Sequence, residues 1–381
     1  MPPLGLYIHG PFCSAICHYC NFNRGLLDAE LKRQYVEAVI AEIRGAPARF
    51  RWPPGAARAD TIFFGGGTPS LLESDEVAAI LEACRNAFDV EPDAEVTLEA
   101  NPESAAGPVL ERIRRAGVNR LSLGAQSFRQ ADLVRLGRIH DVAQARRAVA
   151  CARDAGFDNL SLDLMMWLPE QTLAGWLETV DAAVGLDPEH LSLYMLELYP
   201  GAPLREAMAR ANWSQAPDDD AAEMYEAAMA RLETAGYRQY EISNVSRPGR
   251  ESRHNLKYWI DGEWLGFGPG AHSTLAGARW KNVAATGEYV ARVAAGLPLG
   301  TERRELTAEE RWQEAVITGL RLHDGIAVSE LASTYGVDLD ARFGPELERF
   351  REAGAVERDG DRIRLTRRGM LVANEVLRVF I

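Results

Sequence analysis

Three cysteines near the N-terminus constrain this chain more than any other feature of its sequence. Cys13, Cys17 and Cys20 lie in the run YIHGPFCSAICHYCNF with the spacing C-x3-C-x2-C, which places three thiolates on one short loop. A cubane iron–sulfur cluster is normally held by one cysteine for each iron. Three cysteines would therefore leave one iron open to another ligand, and the spacing predicts a cluster of this kind.

Two simpler interpretations compete with the cluster. The three cysteines together with His18 could form a structural zinc site, because Cys3His is a common zinc ligand set. His18 lies between Cys17 and Cys20, however, which is a cramped position from which to join them on one ion. A disulfide would leave one thiol of the three unpaired. The remaining cysteines, Cys84 and Cys151, fall in helical patterns and are predicted to be core residues.

Composition narrows the class of protein. The chain has 381 residues, 47% hydrophobic and 25% charged, as in an ordinary globular protein with room for one large domain and a smaller one. Five cysteines without an even framework indicate a reducing compartment, and MPPLGLYIHG lacks the pattern of a signal peptide, so a cytoplasmic protein is expected. A net charge of -13 argues against nucleic-acid binding, and no apolar run predicts a membrane span.

Short β-rich segments alternate with longer amphipathic segments such as DEVAAILEACRNAF and TLAGWLETVDAAVG. The candidate strands are residues 5–10, 60–66, 95–101, 120–126, 159–165 and 190–196. Alternating strands and helices of this kind predict a parallel sheet with helices outside it. The fold class is therefore α/β, and six successive units without a reversal favour a partial (β/α)6 barrel of the TIM type.

Polar or glycine-rich residues follow the candidate strands. In α/β barrels the carboxyl ends of the strands form the active face. The segment from Gly65 to Ser70, GGGTPS, would let the backbone approach a ligand closely. At other strand ends we expect Glu99, Gln126 and Asp163 to bind a ribose, an amine or an adenine, while Arg138 suits a carboxylate. Taken singly, each could also be a surface cap or an ion-pair partner.

The pattern changes after about residue 205. We predict three parts: a barrel over residues 1–205, a barrel extension over 206–300 that contains a histidine- and aromatic-rich stretch, and a C-terminal domain over 301–381. In the last part, GAVERDGDRIRLTRRGMLVANEVL predicts a hairpin around residues 358–360 followed by a final helix. Such an α+β unit is similar to small winged-helix domains.

Several motifs occur together in one order. They are LYIHGPFC, FFGGGTPS, EANPES, NRLSLGAQSF, LGRIH, SLDLMMWLPEQT, YEISN, HNLKYW and GFGPGAHS. From Tyr7 to the C-terminus the chain thus resembles the HemN-like branch of the radical SAM family. The resemblance implies a [4Fe–4S] cluster on the three cysteines and S-adenosylmethionine on its open iron. The cofactor-binding positions that it implies are Tyr7, Tyr19, Gly66, Gly67, Thr68, Glu99, Gln126, Arg138, Asp163 and His272.

Three features bear on the place within that branch. The oxygen-independent coproporphyrinogen oxidases carry a further cysteine where this chain has Phe22, and they have an N-terminal extension that this chain does not show before its first strand. HNLKYW resembles the heme-binding motif of the HemW group, which implies His254 as a possible iron ligand and Tyr258 and Trp259 as stacking platforms. One departure is Trp167, where relatives usually have glycine.

The resemblance favours a heme chaperone that passes heme to apo-heme proteins, such as those of the respiratory chain. The alternative is a radical enzyme acting on a porphyrin, or a HemN-like methyltransferase or cyclopropanase. An electron donor such as flavodoxin or ferredoxin would serve the cluster. Whether the chain is an enzyme stays open at this point, and no catalytic residue is assigned.

Overall fold

One continuous sheet dominates the computed structural model of the chain, which describes residues 2–53 and 55–381. In chain order the strands of the described residues are β1 (Leu4–Gly10), β2 (Phe12–Cys13), β3 (Gly25–Leu26), β4 (Arg58–Gly66), β5 (Asp89–Ala100), β6 (Arg120–Gln126), β7 (Leu160–Met166), β8 (His190–Met195), β9 (Arg238–Glu241), β10 (Asn244–Ser246), β11 (Trp264–Phe267), β12 (His272–Leu275), β13 (Ala278–Asn282), β14 (Gly300–Glu305), β15 (Ile326–Ala327), β16 (Val356–Asp359) and β17 (Arg362–Leu365). The order across the large sheet is β14-β13-β12-β11-β1-β4-β5-β6-β7-β8-β10-β9.

The centre of this sheet is the predicted barrel. Strands β1, β4, β5, β6, β7 and β8 are neighbours in this order, and all five pairings between them are parallel. They overlap the six candidate strands of the sequence. The two edges are extended by different means: β11 joins β1 in parallel and leads into antiparallel β12 to β14, while β10 and β9 add antiparallel to β8. The prediction of an open, partial (β/α)6 barrel is confirmed.

Alternation along the strands decides what fills the barrel. Successive side chains of a strand point to opposite faces. On β6 the leucines Leu121 and Leu123 join the main hydrophobic core, whereas Ser122 faces the inside of the barrel. Ser161 and Asp163 of β7 do the same between buried leucines. The repeated pattern L-S-L thus gives the barrel an apolar outer face and a polar interior.

Helices cover the outer face of the sheet. In chain order the helices of the described residues are α1 (Ala29–Phe50), α2 (Ser74–Ala87), α3 (Gly107–Ala116), α4 (Gln130–Arg135), α5 (Val142–Asp154), α6 (Leu173–Val184), α7 (Pro203–Ala211), α8 (Asp218–Thr234), α9 (Arg253–Trp259), α10 (Thr286–Ala294), α11 (Ala308–Gly319), α12 (Val328–Tyr335), α13 (Leu339–Glu352), α14 (Arg367–Leu371) and α15 (Ala373–Leu377). Side-chain caps stabilise the N-termini of several helices. Asp28 accepts from the Leu31 amide at the start of α1, and Asp141 and Gln144 form a capping box at the start of α5. None of these helices is long and apolar enough to span a membrane.

The C-terminal part has a core of its own. Buried residues between Trp312 and Phe380 form a hydrophobic cluster that is separate from the main core. A three-stranded sheet in the order β15-β17-β16 packs there with helices from the same part of the chain. The predicted hairpin is present, because β16 and β17 pair antiparallel and Gly360 turns between them with φ of 58°. The boundaries of the three predicted domains stay a prediction.

We expect Trp176 to contribute strongly to the stability of the barrel. It is fully buried on α6, and its indole Nε1 donates a hydrogen bond to the Met224 carbonyl of α8 at 3.0 Å. Trp176→Ala should lower the free energy of unfolding by about 3–5 kcal/mol, because it leaves a large cavity in the core. Urea unfolding would measure this. The exposed Leu297→Ala serves as control and should change stability by less than about 0.5 kcal/mol.

Candidate functional site

A cavity of about 430 Å³ opens at the carboxyl ends of the parallel strands, and we call it the mouth pocket. Parallel strands bring all their carboxyl ends to one side of the sheet, so residues far apart in sequence meet there. The pocket is lined by eleven of the residues predicted from the sequence: Cys13, Cys17, Tyr19, Cys20, Gly66, Gly67, Thr68, Glu99, Gln126, Arg138 and Asp163. The structure therefore brings the predicted cluster and cofactor residues together.

The cysteine loop is held to the sheet at its first cysteine. Cys13 ends β2, which pairs with β3, and its carbonyl accepts from the Leu27 amide at 3.0 Å. Burial raises the pKa of the Cys13 thiol, while a hydrogen bond of 3.5 Å from the Thr68 hydroxyl to its sulfur opposes the rise. Cys17 and Cys20 are more exposed and are joined by a backbone hydrogen bond of 3.2 Å.

Arg138 connects the cysteine loop to the strand ends. Its Nη1 donates to Cys17 Sγ at 3.4 Å, and its Nη2 donates to Asn101 Oδ1 at 2.6 Å and to the Gly124 carbonyl at 2.9 Å. A guanidinium in this place can stabilise a thiolate and still offer a donor to a bound carboxylate. Asn101 was missed by the sequence analysis, although it lies within the EANPES motif.

The side chains present fit an iron–sulfur cluster. Cys13, Cys17 and Cys20 are free thiols that line one pocket. Three thiols around one pocket are the donor set of a cluster with several irons. An unpaired polar atom points to a further ligand: Gln126 Oε1 is buried without a hydrogen-bond partner beside the same pocket.

The glycine-rich turn after β4 must be glycine for steric reasons. Gly66 has φ of 113°, and a Cβ there would lie 2.6 Å from His9 Cε1. At Gly67 a Cβ would lie 2.6 Å from the Phe12 carbonyl oxygen. The Gly67 and Thr68 amides donate to the carbonyls of Gly10 and Phe12, so this turn and the cysteine loop form one backbone unit.

Two carboxyl groups stand at the base of the mouth pocket. Burial and the negative charge of Asp163 raise the pKa of Glu99 to about 8, and the Gly66 amide donates to Glu99 Oε2 at 3.1 Å. Burial also raises the pKa of Asp163, against hydrogen bonds from Ser122 and Ser192. A carboxyl whose pKa is raised by burial can accept from hydroxyls or ammonium groups, and in its protonated form it can also donate as an acid.

A second cavity of about 290 Å³ lies inside the barrel beneath the first, and we call it the lumen chamber. The two cavities share Glu99, Ser122, Asp163 and Tyr194. Tyr7 lines the lumen chamber and not the mouth pocket, and its hydroxyl is 3.1 Å from His9 Nδ1. Tyr7, also predicted to bind the cofactor, therefore lies in the chamber below the other predicted cofactor residues.

The HNLKYW motif forms the floor of the lumen chamber. His254 is 1% exposed, and its ring nitrogens lie 2.8 Å from the Thr61 hydroxyl and 3.0 Å from the Tyr258 hydroxyl. Burial lowers its pKa to about 3, so the ring is neutral at physiological pH. Trp259 lies against the Arg321 guanidinium, which is 4.6 Å from its ring centroid. In this arrangement neither nitrogen of His254 is open to a ligand.

Three further positions have distinct outcomes. His272 was predicted to bind the cofactor. It is exposed at the start of β12 and lines neither cavity, so the structure does not bring it to the predicted cofactor site. Trp167 has φ of 60°, a left-handed conformation that glycine adopts more readily than other residues. Its indole donates to the Ala216 carbonyl at 2.8 Å, and Trp167 does not line the mouth pocket. Phe22 is 64% exposed at the mouth.

The sequence analysis missed an apolar rim on the mouth pocket. Tyr194 and Met195 end the last barrel strand, and Tyr199 follows it. All three are between 38% and 44% exposed and line this pocket with Phe22. Exposed aromatic and thioether groups at a pocket entrance are typical of surfaces that bind another molecule. The available signal was HLSLYML, in which the strand ends on large side chains rather than on a polar turn.

Comparison with known proteins places the chain in a family. Residues 7–183 match the model of the radical SAM superfamily, and residues 306–372 match that of the HemN C-terminal domain. The heme chaperone HemW of Bacillus subtilis is 36% identical over 98% of both chains, and that of Mycobacterium tuberculosis is 38% identical over the whole of this chain and 95% of its own length.

A solved structure agrees with this fold. Coproporphyrinogen III oxidase (HemN) of Escherichia coli, described as a radical SAM enzyme, superposes with a TM-score of 0.86. The superposition covers 99% of this chain and 90% of the oxidase chain at 24% identity. At this level of identity the likeness concerns the fold alone.

We expect the three loop cysteines to be necessary for a cluster, and the chain offers matched controls. Changing Cys13, Cys17 or Cys20 to alanine should remove most of the iron and sulfide bound after anaerobic reconstitution, because each substitution removes one thiolate ligand. Cys84→Ala and Cys151→Ala should retain the wild-type content, because these thiols lie outside the mouth pocket. Equal iron and sulfide in all five variants would refute the assignment.

Glu99 should make stability depend on pH. The unfolded side chain releases its proton near pH 4.3, whereas the folded one holds it up to about pH 8. Folding therefore takes up a proton between these values, and the stability of the metal-free protein should fall by up to about 1.4 kcal/mol per pH unit there. Glu99→Gln cannot titrate, so between pH 6 and pH 8 it should lose about 2 kcal/mol less than wild type in urea unfolding.

The exposed Glu226→Gln on α8 is the control for removing one carboxylate. It should follow the wild-type curve. If Glu99→Gln and wild type lost the same stability over this pH range, the raised pKa of Glu99 would be contradicted.

Proposed function

The chain belongs to the HemN-like branch of the radical SAM superfamily, and from this premise we propose that it is a heme chaperone. It would bind heme and deliver it to apo-heme proteins, on a scaffold that also carries a [4Fe–4S] cluster and S-adenosylmethionine. The observation that carries the proposal is the similarity, at 36% and 38% identity and over nearly the whole chain, to proteins named heme chaperones.

Phe22 supports a heme chaperone over a coproporphyrinogen oxidase. This position lies two residues beyond Cys20, where the oxidases were expected to carry an additional cysteine. Its side chain is exposed at the mouth pocket instead of offering a thiol. A phenyl ring here adds apolar surface beside the cysteine loop and no redox or acid–base chemistry.

The apolar rim supports an entrance for a flat macrocycle. Phe22, Tyr194, Met195 and Tyr199 are between 38% and 64% exposed around one opening. Burying such side chains against an apolar ring would be favourable by about 25 cal/mol per Å² of apolar surface removed from water. We place the porphyrin face against this rim. The acceptor protein would then reach the heme from the open side of the barrel.

The residues of the mouth pocket would hold the two cofactors. Cys13, Cys17 and Cys20 would ligate the cluster, with Arg138 donating to Cys17 and Thr68 to Cys13. The glycine-rich turn, Glu99, Gln126 and Asp163 would bind S-adenosylmethionine. When bound, the cluster supplies single electrons, and a flavodoxin or ferredoxin would be the electron donor. The protein groups position the cofactors and exclude water.

Ligation of heme iron by His254 stays a prediction, and it would require a rearrangement of the floor of the barrel. The ring would have to give up its hydrogen bonds to Thr61 and Tyr258, and α9 would have to leave the floor of the barrel. Met195 and Tyr199 at the rim are alternative ligands, because thioether and phenolate groups both ligate heme iron in proteins. The two locations can be separated by mutation.

A radical enzyme acting on a porphyrin is the second candidate. It is favoured by one observation: a set of polar groups surrounds the cysteines, including the unpaired Gln126 Oε1 and the carboxyls of Glu99 and Asp163. A scaffold that only stored heme would not need these groups. The same argument extends to a methyltransferase or cyclopropanase of this branch.

Hemin titration and an activity assay decide between these functions. We expect one hemin per chain, seen as a Soret band, and transfer to an apo-heme protein. We expect no decarboxylation of coproporphyrinogen III under anaerobic reducing conditions with S-adenosylmethionine. Conversion to protoporphyrinogen with release of 5′-deoxyadenosine would favour the oxidase instead. Failure to bind hemin would refute the chaperone.

Three variants locate the heme. His254→Ala should shift the Soret band if α9 supplies the ligand, whereas Met195→Ala or Tyr199→Phe should shift it if the rim does. Trp213→Phe, on a partly exposed aromatic that lines neither cavity, controls for changes in the general aromatic surface. A shift with His254→Ala alone would support the ligand predicted from the sequence, and a shift with a rim variant alone would overturn it.

A further inference from the structure

The lumen chamber contains a buried cation without a protein partner. Arg120, at the start of β6, is 1% exposed and lines this chamber. Among residues 2–53 and 55–381, no hydrogen-bond acceptor faces its Nε, and no carboxylate oxygen lies within ion-pairing distance of its guanidinium. A fully buried charge is normally paired or neutralised, because an isolated ion in a medium of low dielectric constant is unfavourable.

The surroundings of Arg120 are rich in hydrogen-bond donors. The chamber walls carry the hydroxyls of Ser122, Ser161, Ser192 and Tyr258, together with the amide of Asn255. Hydroxyl and amide N–H groups arranged around one guanidinium are the groups that bind an anion in proteins. The hydroxyl of Thr97, which is opposite Arg120 in the register of β5 and β6, is also buried without a partner.

Two carboxyls share the chamber with Arg120, but neither forms an ion pair with it. Glu99 and Asp163 interact electrostatically with Arg120 and line the part of the chamber that it shares with the mouth pocket. Asp163 accepts from Ser122 and Glu99 accepts from the Gly66 amide, so both are directed to other partners. The positive charge of Arg120 is thus left facing a cavity of about 290 Å³.

We propose that the lumen chamber is a binding site for a small oxyanion, of the carboxylate or inorganic phosphate class, held by Arg120. The planar guanidinium matches two oxygens of such an anion, and the side-chain amide of Asn255 supplies a further donor. Since one water occupies about 30 Å³ of liquid, the chamber has room for an anion of this size together with several waters. The anion would enter through the mouth pocket.

The site differs from the cofactor site above it. None of Arg120, Ser161, Ser192 and Asn255 lines the mouth pocket, and the three cysteines do not line the chamber. Water alone could fill the chamber, but water would leave the guanidinium charge uncompensated. Binding of an oxyanion would neutralise the charge and satisfy its unpaired donor in one step.

Calorimetric titration tests the proposal with the full chain. In a buffer without phosphate, sulfate or carboxylates, inorganic phosphate and formate are titrated separately. We expect one of them, or both in competition, to bind once per chain. Arg120→Gln should weaken this binding by roughly tenfold or more, because it removes the charged donor. Arg205→Gln, an exposed arginine of α7, removes the same charge elsewhere and should bind like wild type.

A second variant keeps the test decisive if Arg120→Gln fails to fold. Asn255→Asp keeps Arg120 and places a carboxylate of nearly the same shape on the chamber wall, so it should compete with the added anion and abolish its binding. Binding of only one anion would identify its class and support the site. If neither anion bound, or if Asn255→Asp or Arg120→Gln bound as tightly as wild type, the proposal would be overturned.

Discussion

Parallel pairing of six strands is the constraint on which the rest of this structure depends. Each pairing aligns carboxyl ends on one side, so residues between Cys13 and Asp163 meet around one pocket although up to 150 residues separate them. The contact between β1 and β4 matters most, because the amides of Gly67 and Thr68 bond to the carbonyls of Gly10 and Phe12. The cysteine loop and the glycine-rich turn therefore move as one unit.

The polar interior follows from the same geometry. A barrel of this size normally fills its lumen with branched apolar side chains. Here serines, Arg120 and two carboxyls take the inward positions, which leaves a chamber under the mouth pocket. Burial then raises the pKa values of Glu99 and Asp163 and isolates the charge of Arg120. These buried polar and charged groups lower the stability of the fold, as is usual at sites where a protein binds ligands.

Two motifs acquire a different meaning from their positions in the fold. HNLKYW appears in the sequence as a histidine beside aromatic rings, yet α9 closes the bottom of the barrel and His254 stacks on Phe63 at a centroid distance of 5.1 Å. Trp167 occupies a position whose left-handed backbone favours glycine, yet its indole donates a hydrogen bond to the Ala216 carbonyl instead of lining the pocket. In both cases the neighbours, and not the motif, decide which atoms remain accessible.

The sequence alone determined the six barrel strands, the C-terminal hairpin and most of the mouth pocket, but not strands β9 to β14, which extend the sheet. Local patterns sufficed for this, because L-S-L alternation, glycine turns and cysteine spacing act within a few residues of each other. Only the tertiary structure showed the placement of His254 on the floor, the absence of His272 from the pocket lining and the unpaired Nε of Arg120. Burial and hydrogen-bond partners come from segments distant in sequence, and no local pattern encodes which of them will pack together.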